Sequence, residues 1–129
     1  WAGLAFAPNG NLYAASVATG RIGEFTPDGA FVRLVLDPGR WLPGAPTGSP
    51  QGLAVDAAGT LYYADLALVW RGGTLRPGPD GKVWRIRFDA GGAPQPPESL
   101  LTGLEYPDGV AVLPGVEPQP PPGGRTSVQ

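Results

Sequence analysis

The chain has no cysteine, histidine or methionine among its 129 residues. Without cysteine there is no disulfide framework, thiol nucleophile or zinc knuckle, and the redox compartment stays open. Without histidine the commonest general acid–base and metal-binding side chain is missing. Charge is sparse as well: nine basic and eleven acidic residues leave a net charge of −2. The basic residues are scattered singly, so no nucleic-acid partner is expected. No apolar run approaches the roughly 18 residues that span a bilayer, and no membrane span is expected. Trp1 is not followed by a charged and then apolar leader, so no signal peptide is visible. What abounds is Gly (21) and Pro (17), set between apolar segments as turn residues are.

Those apolar segments repeat. Gly-apolar-Ala-apolar occurs at Gly3-Leu4-Ala5-Phe6, Gly52-Leu53-Ala54-Val55 and Gly109-Val110-Ala111-Val112. Residues 3–16 (GLAFAPNGNLYAAS) align without a gap on residues 52–65 (GLAVDAAGTLYYAD). The spacings, 3 to 52 and 52 to 109, lie in or slightly above the range of β-propeller blades. Periodicity within each copy is two, which argues strands, and both faces of the first strand are apolar, one bulky and one small. Such a sheet packs on both sides, as a propeller blade does; a one-sided sheet would place polar residues at alternate positions.

The expected fold is therefore all-β, a β-propeller fragment of two four-stranded antiparallel blades plus the first strand of a third. Residues 1–50 form one blade, 51–107 a second, and 108–115 open a further one. Second strands fall at 11–16 and 60–65, and third strands at 21–26 and 82–88, with Ile22 matching Val83 and Phe25 matching Ile86. Outer strands follow near 30–36 and 98–101. Tight turns are expected at Pro8-Asn9-Gly10, Pro27-Asp28-Gly29, Ala57-Ala58-Gly59 and Asp89-Ala90-Gly91-Gly92. Residues 116–129 are Pro-rich and read as a tail or linker. The chain enters directly on a repeat and stops soon after the third begins, so it reads as a section of a larger ring with residues upstream, its partners including the remaining blades. Two apolar blade faces would then be exposed, and self-association or aggregation is expected. A β-sandwich is the alternative; it predicts alternating polar and apolar positions and no triplicated unit.

The elaboration falls on one side of the disc. Residues 37–50 form a long crossover and 66–79 a long second-to-third loop, whereas the turns at the other end are short. Long loops on a rigid scaffold carry function, so this face is the default site. The residues preceding the three glycines, Ala2, Gln51 and Asp108, are expected at the channel mouth. Asp108 is the carboxylate there, an oxygen ligand of the kind that hard cations take, or else an Asx-turn residue. Asp56 is expected to accept amides of its own turn. Asp65 ends a strand on the elaborated face and serves either the ligand or loop bonding. Trp70, Arg71 and Arg76 form a candidate sugar- or anion-contacting loop, since indole stacks on apolar sugar faces and guanidinium pairs with carboxylate. Trp41 and Trp84 read as packing residues. Gly72-Gly73 and residues 78–81 lack the following helix that a phosphate loop needs.

Ser49-Pro50-Gln51-Gly52-Leu53-Ala54-Val55-Asp56, followed by Ala58-Gly59-Thr60-Leu61-Tyr62-Tyr63-Ala64-Asp65, resembles the NHL repeat and the related gluconolactonase (regucalcin-like) propellers, usually six-bladed. In the gluconolactonase-like enzymes a divalent cation at the channel mouth is held by a Glu, Asn residues and the Asp of a Pro-Asp-Gly. It polarises a sugar lactone for hydrolytic ring opening. Tyr106-Pro107-Asp108-Gly109 looks like that last element, and the resemblance implies a metal-ligand role for Asp108, with calcium or zinc as the ion. Gln51 departs from the Asn that the enzymes often carry and is closer to ordinary NHL repeats. The resemblance thus implies metal-dependent hydrolysis of a sugar lactone or related small molecule; the candidate substrate contacts, read from the residues themselves, are Gln51, Asp65, Trp70, Arg71 and Arg76. Its alternative is a non-catalytic NHL-type propeller that binds protein or carbohydrate. Lys82-Val83-Trp84-Arg85-Ile86 is also similar to quinoprotein sugar dehydrogenases, whose His base this chain lacks. Location is open, with a periplasmic or secreted one favoured over the cytoplasm.

Overall fold

A computed structural model describes residues 1–39 and 47–114. Trp41, much of the expected crossover and the Pro-rich tail lie outside these residues. The described chain is all-β, with ten strands and no helix. β1 (Leu4–Phe6), β2 (Leu12–Ser16), β3 (Arg21–Phe25) and β4 (Phe31–Leu36) form one antiparallel four-stranded meander. β5 (Pro50–Val55), β6 (Leu61–Asp65), β9 (Gly81–Ile86) and β10 (Glu98–Leu104) form a second. β7 (Val69–Arg71) and β8 (Thr74–Arg76) make a separate two-stranded hairpin between β6 and β9.

Four turns at one end of the two sheets share one geometry. In each, the first residue's amide donates to the carbonyl four residues on, and a glycine amide donates back to the first carbonyl. The closing pairs are Ala7–Asn11, Thr26–Ala30, Asp56–Thr60 and Asp89–Ala93. The glycines, Gly10, Gly29, Gly59 and Gly92, have φ between +82° and +92°, which side chains resist. Asp56 and Asp89 reinforce their turns, each Oδ1 accepting two further amides at 2.8–3.0 Å.

Register carries the repeat into three dimensions. Ala15 pairs with Ile22 and Ala64 with Val83; Leu12 pairs with Phe25 and Leu61 with Ile86. The expected matches of Ile22 with Val83 and Phe25 with Ile86 therefore occupy equivalent lattice points. The sheets stack face to face but with unlike faces. The first contributes Ala5, Tyr13, Ala15 and Ile22; the second contributes Leu53, Val55, Leu61, Tyr63 and Ile86. On the 49-residue spacing (3 to 52), the small face Ala5-Tyr13-Ala15 corresponds to Ala54-Tyr62-Ala64, which lies on the face of the second sheet turned away from the first, with Ala64 buried. The bulky Leu53-Val55-Leu61 corresponds to Leu4-Phe6-Leu12, which looks outward from the first.

Beside each tyrosine an ion pair crosses the outer strands, with its sign reversed between sheets. Tyr13, Glu24 and Arg33 align in the first, and Tyr62, Arg85 and Glu98 in the second. The Glu24–Arg33 pair, 2.7 Å long, is covered by the second sheet, leaving Glu24 only 3% exposed. There Phe88 stacks on Tyr13, Arg33 lies over Phe88, and Arg33 Nη1 donates to the Gly92 carbonyl at 2.8 Å. Burial opposes the charged form of Glu24, but hydrogen bonds from Asn11 and Arg33 and the Arg33 charge outweigh it and hold the carboxyl below its usual range.

At the other end the backbones touch. A Cβ on Gly3 would collide with the Gln51 carbonyl oxygen and lie 3.3 Å from Gly52 Cα. A Cβ on Gly52 would lie 2.6 Å from the Asp108 carbonyl oxygen and 2.7 Å from Gly109 Cα. Each copy's glycine thus abuts the start of the next. Residues 108–115 were expected as a first strand, yet the described part, 108–114, forms no ladder, because no second strand among the described residues is there to pair with it.

Gly3→Ala is expected to cost about 1–3 kcal/mol by overpacking against backbone that cannot rotate away. Gly10→Ala, with open space and only its left-handed φ against it, should cost about 1 kcal/mol. Urea midpoints measure both, and equal losses would contradict the close approach. The lowered Glu24 pKa makes its contribution complete above the unperturbed 4.5 and lost as pH falls through the folded value. Glu24→Gln should therefore flatten the acid limb of a pH–stability profile; an unchanged limb would count against the buried pair.

Candidate functional site

The long loops converge at the end opposite the four tight turns. Between the β2–β3 turn, residues 47–49, the β6–β7 segment and the start of β9 lies a cleft of about 490 Å³. Thr47, Ser49, Asp65, Lys82 and Trp84 are among its lining residues. The cleft lies on the side that carries the long connections.

Asp65 organises the cleft floor. It is buried, and its Oδ1 accepts the amides of Ser49 and Ala67, both at 2.7 Å, while Oδ2 accepts Trp84 Nε1 at 3.0 Å. Only glycine fits at position 48, since any Cβ there would collide with the Asp65 carboxylate and φ is +81°. Tyr63 stacks on Trp84 and donates to the Thr47 carbonyl at 2.8 Å. Burial, followed by the Asp65 charge, pushes the Tyr63 hydroxyl far above its usual range. Of the two roles foreseen for Asp65, loop bonding engages both carboxylate oxygens. Thr47 Oγ1 is buried without a hydrogen-bond partner among the described residues, an uncommon state for a buried hydroxyl.

The 66–79 segment is more ordered than a loop. Gly72 and Gly73, with φ of 57° and 77°, make the two-residue turn of the β7–β8 hairpin, a role that needs no phosphate. Trp70 pairs with Leu75, and Trp70 is 74% exposed. Arg71 and Arg76 alternate with this pair and lie on the hairpin's other face. Among the described residues, Arg21, Arg33, Arg85 and Arg87 are ion-paired, whereas Arg71, Arg76 and Lys82 are not. All three unpaired cations lie on the hairpin or at the start of β9, on the elaborated side. Arg71 also lines a smaller recess of about 300 Å³ with Glu105 and Tyr106. Ala67 and Tyr106 are the two non-glycine residues with left-handed φ, at 48° and 55°, among the described residues. One flanks the cleft and the other the recess; such strain concentrates at ligand-binding surfaces.

Gln51 and Asp108, the residues before the second and third glycines, meet. Gln51 Nε2 donates to Asp108 Oδ1 at 2.7 Å, in an exposed position. A carboxylate and an amide suit a hard cation in kind, but calcium takes about 6–8 oxygens. Among the described residues no group of three acidic, His or Cys side chains gathers. The structure brings Gln51 to Asp108 and places Asp65 by itself in the cleft floor, with Trp70, Arg71 and Arg76 on the hairpin. Thr47, Ser49 and Lys82 were not among the expected site residues: Ser49 and Lys82 entered only as the first residues of repeat-like motifs, and Thr47 lies outside the aligned repeat.

No protein-family model matches the chain, and no curated protein matches it either.

Asp65→Asn replaces an acceptor oxygen with a donor facing N–H groups, and should cost about 1–3 kcal/mol. Thermal unfolding monitored at Trp84 would measure it, and a neutral substitution would contradict the bracing role.

Proposed function

We propose that the two four-stranded sheets are consecutive blades of a β-propeller related to the NHL and gluconolactonase-like proteins, and that the loop face binds a small, polar, sugar-like molecule. The observation that carries this reading is the repeated approach of Gly3 to Gly52 and Gly52 to Gly109, one step applied twice. A repeated step of this kind fits radial stacking of unlike faces, which neither a sandwich nor a closed barrel requires. The cleft beside Lys82 and Ser49 supplies a donor and hydroxyls for a polyol, and the exposed Trp70 offers a ring for a sugar's apolar face.

Hydrolysis of a sugar lactone is the second reading, favoured by the Gln51–Asp108 contact. Asp108, with Gln51 turned to present its carbonyl oxygen, would hold a calcium or zinc ion alongside ligands from other blades. A bound divalent ion there supplies Lewis-acid polarisation of the lactone carbonyl. The chain's own part is to fix two oxygen donors at consecutive repeat positions, anchored by glycines that admit no side-chain movement between them.

Calorimetric titration with calcium and with zinc separates the readings. On the lactonase reading, Asp108→Asn lowers cation affinity by at least about tenfold, or ~1.4 kcal/mol. Unchanged affinity removes Asp108 as a ligand and leaves the binding reading, for which gluconolactone affinity should fall when Leu68→Trp fills the cleft.

A further inference from the structure

The β7–β8 insertion and the end of β10 enclose a second recess, of about 300 Å³, lined by Arg71, Pro77, Gly78, Pro79, Glu105 and Tyr106. Gly78 and Pro79 form the wall that it shares with the cleft. Close backbone approaches hold these walls. A Cβ on Gly78 would lie 2.5 Å from the Ala67 carbonyl oxygen, and the Gly78 amide donates to the Leu66 and Ala67 carbonyls at 3.2 and 3.0 Å. A Cβ on Gly81 would lie 2.5 Å from both the Leu104 carbonyl oxygen and Pro107 Cδ, so residues 104–107 are laid directly over the start of β9. Between those two contacts Tyr106 takes a φ of 55°, uncommon for a residue with a side chain, and it is 63% exposed.

Arg71 and Glu105 bring opposite charges to this recess without pairing. Among the described residues neither takes part in an ion pair, whereas Arg87, equally exposed, meets Glu98 at 2.8 Å. We propose that the recess binds a free α-amino acid with an apolar side chain, its carboxylate on the Arg71 guanidinium and its ammonium on the Glu105 carboxylate. This site is additional to the cleft, and neither reading depends on the other. Guanidinium takes a carboxylate through two parallel N–H donors. The ammonium gains from Glu105 and from the face of the Tyr106 ring. A simple anion would lose at Glu105 what it gains at Arg71, a simple cation the reverse, and a neutral sugar gains at neither; a zwitterion gains at both. The apolar side chain falls to Tyr106 and to Pro77 and Pro79, whose backbone φ is fixed by their rings. The volume stands at the lower end of small-molecule pockets and suits one amino acid rather than a chain. Exposed charge pairs are weak in water, so binding in the millimolar range is expected.

Chemical-shift titration of the ¹⁵N-labelled full chain tests it, with L-phenylalanine as the probe and the Glu105 and Tyr106 amides as the readout. Two analogues each lack one charge: N-acetyl-L-phenylalanine has no ammonium and L-phenylalaninamide no carboxylate. Phenylalanine should saturate the shifts, and each analogue should bind at least about fivefold more weakly. Arg71→Gln should bring phenylalanine down to the level of phenylalaninamide, and Glu105→Gln should bring it down to the level of the acetylated analogue. Matching wild-type and variant melting curves exclude misfolding as the cause. No saturable shift up to about 20 mM, equal affinity for the three compounds, or variants that bind phenylalanine as the wild type does would each overturn the proposal. Shifts confined to Ser49 and Lys82 would place the probe in the cleft, which overturns the recess as an amino-acid site and leaves the cleft reading standing.

Discussion

Backbone-to-backbone approach at Gly3 and Gly52 sets the distance from which the rest of the structure follows. With a side chain at either position the inner ends of the sheets would splay, and the alanines of the small face could no longer reach the bulky face opposite. Once the glycines meet, the inter-sheet gap is filled by one layer of leucine, valine and tyrosine against one of alanine, with Ile22 and Ile86 sealing it. Glu24 and Arg33 then close the far end of the gap under Phe88. Packing at one end and ion pairing at the other are two consequences of a single spacing.

The same constraint gives the two ends of the sheets different characters. At the tight-turn end, four glycine-dependent turns of equal length leave little surface that can vary without breaking a hydrogen-bond pair. Variation is therefore confined to the opposite end, where the β7–β8 hairpin, the β6–β7 segment and the residues around Ser49 gather. Asp65 makes that variation tolerable. By accepting amides from two different loops and the indole of Trp84, it ties the long connections into one cleft floor. Among the described residues Arg71, Arg76 and Lys82 form no ion pair, and all three lie on this side.

Much of the fold was legible because the repeat is written at backbone level. Strand positions followed from the period of two and from glycines that only tight turns need, and the equivalence of Ile22 with Val83 survives in the ladder. β10 runs on to Leu104, beyond the expected 101, because two irregularities in its pairing carry it past the point where alternation stops. The β7–β8 hairpin was missed for a related reason: it lies in an insertion with no counterpart in the first copy, and Gly72-Gly73 was weighed as a phosphate loop rather than as a turn. In the site, the position of Gln51 and Asp108 was readable from their place before the glycines, but their hydrogen bond was not, since it depends on the glycine approach. Asp56 was legible because its partners are local. The buried state of Asp65 was not, because its donors come from segments 16 and 19 residues away.

The central claim is that a single repeat step stacks the three glycines along one line. The most direct measurement is the nuclear Overhauser spectrum of the chain selectively labelled at glycine. The account predicts α-proton cross-peaks between Gly3 and Gly52 and between Gly52 and Gly109, with none between Gly3 and Gly109. Intact sheet signals without those two contacts would mean that the sheets fold but do not stack as repeats, and the blade reading would fall with them.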